Sequence, residues 1–235
     1  MERFLYLLLV TLSFVVPFLY SFEKKRLYFI KYWKPYFLSI IIAGLFFIAW
    51  DIYFTIAKVW GFNDTYLTGL TIFYLPVEEW LFFLLIPYAS NFIHYALLFF
   101  FPSPRLGKVS ARYVAYSLFV MALTITVFNS EKIYTFCSFG LFALLILLQI
   151  IYKFHSFNRY VLSFLVILIP FFIVNSWLTG LFTEMPIVYY NNEENLGIRL
   201  GAIPIEDIFY CFSLLYTSIL LFEFFKKRPV KQKRA

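Results

Sequence analysis

The chain has 235 residues, 63% of them hydrophobic and 24% aromatic, and only 14% charged. About a quarter of the residues in soluble domains are charged, so composition excludes a large water-soluble domain. The net charge of +7 sits in short loops and a C-terminal tail beside apolar segments. That placement points to membrane anchoring and away from a nucleic-acid-binding face.

Seven apolar runs are long enough to cross a bilayer as helices. In chain order they cover 4–21, 36–57, 77–101, 112–128, 133–152, 160–181 and 205–225. The first has a weak basic flank and no small-x-small cleavage site after it, so it reads as a helix and not a signal peptide. The fold class expected is an all-α integral membrane protein with seven transmembrane helices, built as two three-helix repeats joined by a linking helix. The corresponding division is 1–101, 102–131 and 132–235. Cys137 and Cys211 both lie inside apolar runs and read as small buried hydrophobes. Neither a glycine-rich nucleotide loop nor a metal-ligand spacing is present, so no cofactor and no metal are expected.

The loops give an orientation. Lys24, Lys25, Arg26, Lys31 and Lys34 follow the first span, Arg105, Lys108 and Arg112 the third, and Lys153 and Arg159 the fifth. The tail adds Lys226, Lys227, Arg228, Lys231, Lys233 and Arg234. Sixteen of the 20 basic residues therefore fall on one side, the exceptions being Arg3, Lys58, Lys132 and Arg199. The positive-inside rule puts the N-terminus outside and the C-terminus in the cytoplasm, as expected in a bacterial inner membrane. The tail is expected to bind anionic lipid.

Two acidic phrases stand out. Pro76-Val77-Glu78-Glu79 recurs 128 residues later as Pro204-Ile205-Glu206-Asp207, and each opens an apolar span. Upstream of the first lie Trp50-Asp51, Thr55, Gly61 and Gly69; upstream of the second lie Asn175-Ser176-Trp177, Thr179-Gly180 and Gly197. The shared order is an apolar helix, a polar and Trp-bearing end, a glycine-bearing loop, Pro-x-acid-acid and another apolar helix. Proline and acids also make an ordinary helix start. A second copy at a matched position favours function, the default reading for ionisable groups in a membrane span. Asp51 has no basic neighbour in sequence, and a span-interior Asp costs about 2.5–3.5 kcal/mol on insertion scales. Lys58, seven residues on, is a candidate partner for it. His94 and His155 form no ligand set and read as packing and surface residues. The run Asn191, Asn192, Glu193 and Glu194 reads as a solvated loop.

These residues resemble a known family. The runs Trp50-Asp51, Trp60-Gly61-Phe62-Asn63, Leu75-Pro76-Val77-Glu78-Glu79-Trp80-Leu81-Phe82, Gly197-Ile198-Arg199 and Ile203-Pro204-Ile205-Glu206-Asp207-Ile208-Phe209-Tyr210 are similar to the lycopene cyclase domain. This is the small membrane carotenoid cyclase type, found as heterodimers or fused chains. The resemblance covers about 36–97 and 164–225, two copies in one chain. It implies a non-redox lycopene β-cyclase in carotenoid biosynthesis. An acid protonates an acyclic ψ end, the cation closes to a six-membered ring, and a base removes a ring proton, leading through γ-carotene to β-carotene. Glu78 and Glu206 are expected to lead as the acid/base pair, with Glu79, Asp207 and Asp51 tuning or stabilising. Asn175, Trp50 and Trp177 would orient substrate. Loss of cyclisation is expected for Glu78→Gln. The partners expected are lycopene or γ-carotene in the bilayer and a homo-oligomer, with no nucleic acid.

Two other readings stay open: a non-enzymatic seven-helix carotenoid- or lipid-binding protein, and a proton-coupled transporter. A retinal pigment needs a lysine inside a span, and the last span has Lys226 only at its end.

Overall fold

A computed structural model describes residues 2–226. Its seven long helices are α1 (Leu5–Tyr20), α2 (Trp33–Ile56), α3 (Val77–Phe100), α4 (Lys108–Phe128), α5 (Ile133–Tyr152), α6 (Phe157–Leu178) and α7 (Glu206–Lys226). All seven are long and apolar enough to span a bilayer. They lie within a few residues of the expected spans. α2, α4 and α6 each start three or four residues earlier than expected, at Trp33, Lys108 and Phe157. The tail lies outside the described residues except for Lys226, whose ammonium sits 4.9 Å from the Tyr32 ring centroid.

The helix-only reading lacked three short ladders in the connections. β1 (Trp60–Phe62) pairs antiparallel with β4 (Val188–Tyr190), while β2 (Thr71–Ile72) pairs with β3 (Leu75–Pro76) and β5 (Arg199–Leu200) with β6 (Ile203–Pro204). They satisfy backbone groups where the chain leaves helical geometry next to a membrane.

The two halves repeat in register. Strands, short 3-10 turns and the glycines Gly69 and Gly197 recur at an offset of 128, the offset also seen between Tyr95 and its hydrogen-bond partner Glu223. In the β1–β4 ladder Gly61 faces Tyr189, its own counterpart, while Trp60 faces Tyr190 and Phe62 faces Val188. That is the pairing a two-fold axis through the ladder requires. The Tyr189 ring lies over Gly61, in the space a side chain at position 61 would occupy.

α3 and α7 form the centre, each packed on helices of both halves. α5 and α7 are half buried, whereas only 17% of α1 and of α4 is buried. α4, the linking helix, lies on α5 through Ala115, Ala122 and Ala143, with Gly140 against Thr126. Small residues let membrane helices approach closely. Proline shapes the rest: Pro17, Pro87 and Pro170 sit inside α1, α3 and α6. Pro87 cannot donate to the carbonyl of Phe83, four residues back. Gly44 of α2 lies against that carbonyl, with room for no more than a Cβ 3.3 Å away.

After α6 the chain turns at Gly180, which has φ +91° and lies so close to Pro186 that an added Cβ would stand 3.0 Å from Pro186 Cα. Gly180→Ala is expected to cost more than about 1 kcal/mol, because φ is incompatible with a side chain. A lowered thermal midpoint in detergent would show it; an unchanged midpoint would mean the turn relaxes freely.

Candidate active site

Each acidic phrase begins a central helix, and the two adjacent acids of each phrase do different things. Glu78 Oε1 accepts from the Thr68 backbone N–H at 2.7 Å, and Glu206 Oε1 accepts from the Leu196 N–H at 2.7 Å. These are the same contact in the two halves. The positive φ of Gly69 and Gly197 turns the loop immediately after each donor. Glu206 also accepts from Thr135 Oγ1 at 2.7 Å, tying α5 to α7. Both glutamates are buried. They hold the loops onto the helix starts.

The second acid of each phrase faces a cavity of about 180 Å³ between α1, α3, α6 and α7. Glu79 accepts from the Tyr6 phenol, and Asp207 accepts from the Tyr134 phenol. This pair of contacts is again one contact repeated, from the first helix of each half to the third. Asp207 takes a second phenol, Tyr190, at 2.9 Å. Asp51 also lines the cavity. Its Oδ1 accepts from Trp60 Nε1 at 2.6 Å and from Thr55 Oγ1 at 3.4 Å. Asp51 and Glu79 line the same cavity. Asp51 Oδ2 and the Tyr210 hydroxyl are buried without a hydrogen-bond partner among the described residues. Burial, and then the Asp207 carboxyl beside it, push the Tyr190 phenol well above its usual value, so it remains a neutral donor.

Of the expected site residues, the structure thus brings Asp51, Glu79, Asp207 and Asn175 to one cavity, while Glu78 and Glu206 are not among its lining residues. Asn175 lines it part-way along and donates to its own helix at Phe171 O, 3.0 Å away. The orienting role expected of the other two tryptophans meets a different geometry. Trp50 stands behind the wall, 5.2 Å from the Tyr210 ring, and Trp177 packs on Phe182. The indole in the cavity wall is Trp60. Lys58 is exposed, so Trp60 replaces it as the partner of Asp51. At the offset of 128 Asp51 corresponds to Thr179, not Asn175, so the third acid belongs to the first half alone.

The residues missed from sequence are Tyr6, Tyr134, Tyr190, Tyr210 and Trp60. Tyr6 and Tyr134 carried a signal, each lying 73 positions before its acid. Tyr190 and Trp60 are brought in by the β1–β4 ladder, which has no sequence pattern of its own.

Away from the acids the cavity is mostly apolar, running between Phe82, Phe83 and Ile86 of α3 and Val174 and Phe171 of α6 as far as Ile93 and Pro170. Three of the exceptional basic residues also find a task at the acid end. Arg3 donates to Thr68 O at 3.0 Å, Lys132 to Asn195 O at 2.9 Å and Arg199 to Ala202 O at 2.6 Å. They fasten the loops that close over the acids.

Seven helices long and apolar enough to span a membrane, in two like halves around a mostly apolar cavity that ends in carboxyls and phenols, define a membrane protein. The lycopene cyclase family model matches residues 3–97 and 131–225, both halves including their first helices. The chain belongs to the lycopene cyclase family, whose function is carotenoid cyclisation. The matched segments extend the 36–97 and 164–225 read from motifs by adding α1 and α5, which bring Tyr6 and Tyr134. No curated protein and no solved structure gives a match.

Proposed function

We propose that the protein is a lycopene β-cyclase that closes acyclic ψ ends to β-ionone rings without net redox change. The observation that carries the reading is the gathering of Asp51, Glu79 and Asp207 at one end of a mostly apolar cavity. An alkene is a weak base, so its protonation needs a carboxylic acid kept from water and a fixed environment for the cation that results.

The roles follow from the partners. Asp51 and Glu79 line one cavity, and two carboxyls in one site disfavour a double charge, so this pair is assigned one shared proton. It supplies the proton to the terminal C=C. The π electrons of the next double bond then attack the tertiary cation and form the ring bond. Asp207, with Tyr134 and Tyr190 donating to its two oxygens, is assigned the role of base. It offsets the cation's charge and takes the ring proton, leaving a new ring C=C. One proton enters and one leaves, and no electrons are exchanged. On that balance the reaction as drawn calls for no redox cofactor. The faces of Trp60, Phe82, Phe83 and Tyr210 line the same space and favour a cation over water. Glu78 and Glu206 act as positioning residues through the loops they hold. Asn175 contributes to the wall.

The excess of basic residues at the opposite end supports an N-terminus outside and a C-terminus in the cytoplasm of a bacterial inner membrane. Expression in a bacterial host that accumulates lycopene, with chromatography of the pigments, tests the reading. Monocyclic or bicyclic β-ring products support it. Unchanged lycopene in membranes that contain the inserted protein would contradict it.

A further inference from the structure

The cavity with the acids does not end the seam between α3 and α6. A second cavity, of about 210 Å³, lies further along the same two helices, lined by Leu97, Leu98 and Phe101 on the α3 side and by Arg159, Leu162 and Val166 of α6. The two cavities use the same stripes. On α3 the acid cavity takes Glu79, Phe82, Phe83, Ile86, Ser90 and Ile93, and the second continues at Leu97 and Phe101. On α6, which runs the other way, Leu178, Val174 and Pro170 lead on to Val166, Leu162 and Arg159. Steps of three and four residues keep to one face of a helix. The interruption, from Ile93 to Leu97 and from Pro170 to Val166, is about one turn of each helix, some 5.4 Å. From Glu79 to Phe101 the seam is about 33 Å long at about 1.5 Å per residue. That is close to the roughly 30 Å thickness of a bilayer's hydrocarbon core, which an extended C40 polyene also approaches in length.

We infer that the second cavity is the subsite for the distal end of the carotenoid, so that a substrate lies lengthwise in the α3–α6 seam with its reacting end among the acids. This inference rests on the cyclase reading and adds to it a residue-level determinant of substrate length and of the far end group. The walls suit such an occupant: Leu97, Leu98, Leu162 and Val166 are aliphatic, and Val166 is 40% exposed on the helix surface, where the second cavity can meet the bilayer. With one set of acids and one distal pocket, the two ends of a symmetric substrate are closed one at a time, and the chain turns end for end between them. The second closure presents an already cyclised end to the Leu97–Leu162 pocket.

The test fills that pocket. Leu97→Trp and Leu162→Trp, assayed in membranes against lycopene and against a ψ-ended apocarotenoid cut short of the chain's midpoint, separate length recognition from chemistry. Both variants are expected to lose roughly tenfold or more of their lycopene conversion, since overfilling a packed site is costly, while converting the short substrate as wild type does. Retained turnover of the short substrate shows that the variants are folded. Equal losses on both substrates, or unchanged lycopene conversion, would overturn the inference and leave the pocket to bilayer lipid, with the cyclase reading intact. A wild-type protein that converts neither substrate would overturn both.

Discussion

Glu79→Gln is expected to lower lycopene conversion by about 10²–10⁴-fold, the usual contribution of a positioned acid, with the protein still inserted and folded. The amide can still accept from Tyr6, so the contact between α1 and α3 survives. It cannot deliver a proton to an alkene, and it removes the partner with which Asp51 shares one. Glu78→Gln, one residue away, is the discriminating control. Its amide oxygen can accept from the Thr68 N–H in place of Glu78 Oε1, so the loop stays in place and activity should fall by less than about tenfold. Glu78→Ala, which leaves that buried N–H without an acceptor, should cost about 1–3 kcal/mol of stability. Pigment analysis beside a thermal midpoint in detergent separates the three variants. A dead Glu78→Gln beside an active Glu79→Gln would return the leading role to the first acid of the motif.

Asp207→Asn is expected to cost about 10²-fold or more, for a different reason. The side chain is held by two phenols that both donate, Tyr134 and Tyr190. A carboxylate accepts from both, whereas an Asn turns its NH₂ toward one of them. The variant loses the negative charge that faces the carbocation and misplaces a donor. Asp207→Glu should recover much of the activity, because the matched position in the first half is itself a glutamate, Glu79, held by the matched phenol Tyr6. Full activity in Asp207→Asn would remove Asp207 as base and charge stabiliser.

The seven spans and the repeat were legible because both are carried by long, redundant patterns: apolar runs of bilayer length and a motif recurring at a constant offset. The five acids were legible for the same reason, since carboxyls are rare in such runs. Which acid of each adjacent pair lines the cavity was not. Glu78 and Glu79 are neighbours on one helical turn, so they point in directions about 100° apart. Which one meets the cavity depends on where the loop before Pro76 folds back. That is set by Gly69 and the Thr68 N–H, and neither has a periodicity to read. Trp60 and Tyr190 reach the site only through a three-residue ladder between the halves, too short to announce itself in sequence. Asn175 was matched to Asp51 by its nearness to a tryptophan. The common offset of the halves matches Thr179 to it instead and makes the site asymmetric, with two carboxyls from the first half and one, held by two phenols, from the second.

The central claim is that a solvent-exchangeable carboxyl adds one proton for each ring closed and a second carboxyl removes another. Conversion of lycopene by the membrane-embedded protein in deuterium oxide, followed by mass spectrometry of the products, tests it most directly. The account predicts one carbon-bound deuterium for each ring formed, present already in the monocyclic product. Cyclised carotenoid without deuterium would contradict it, because the proton that starts the reaction would then not come from these acids.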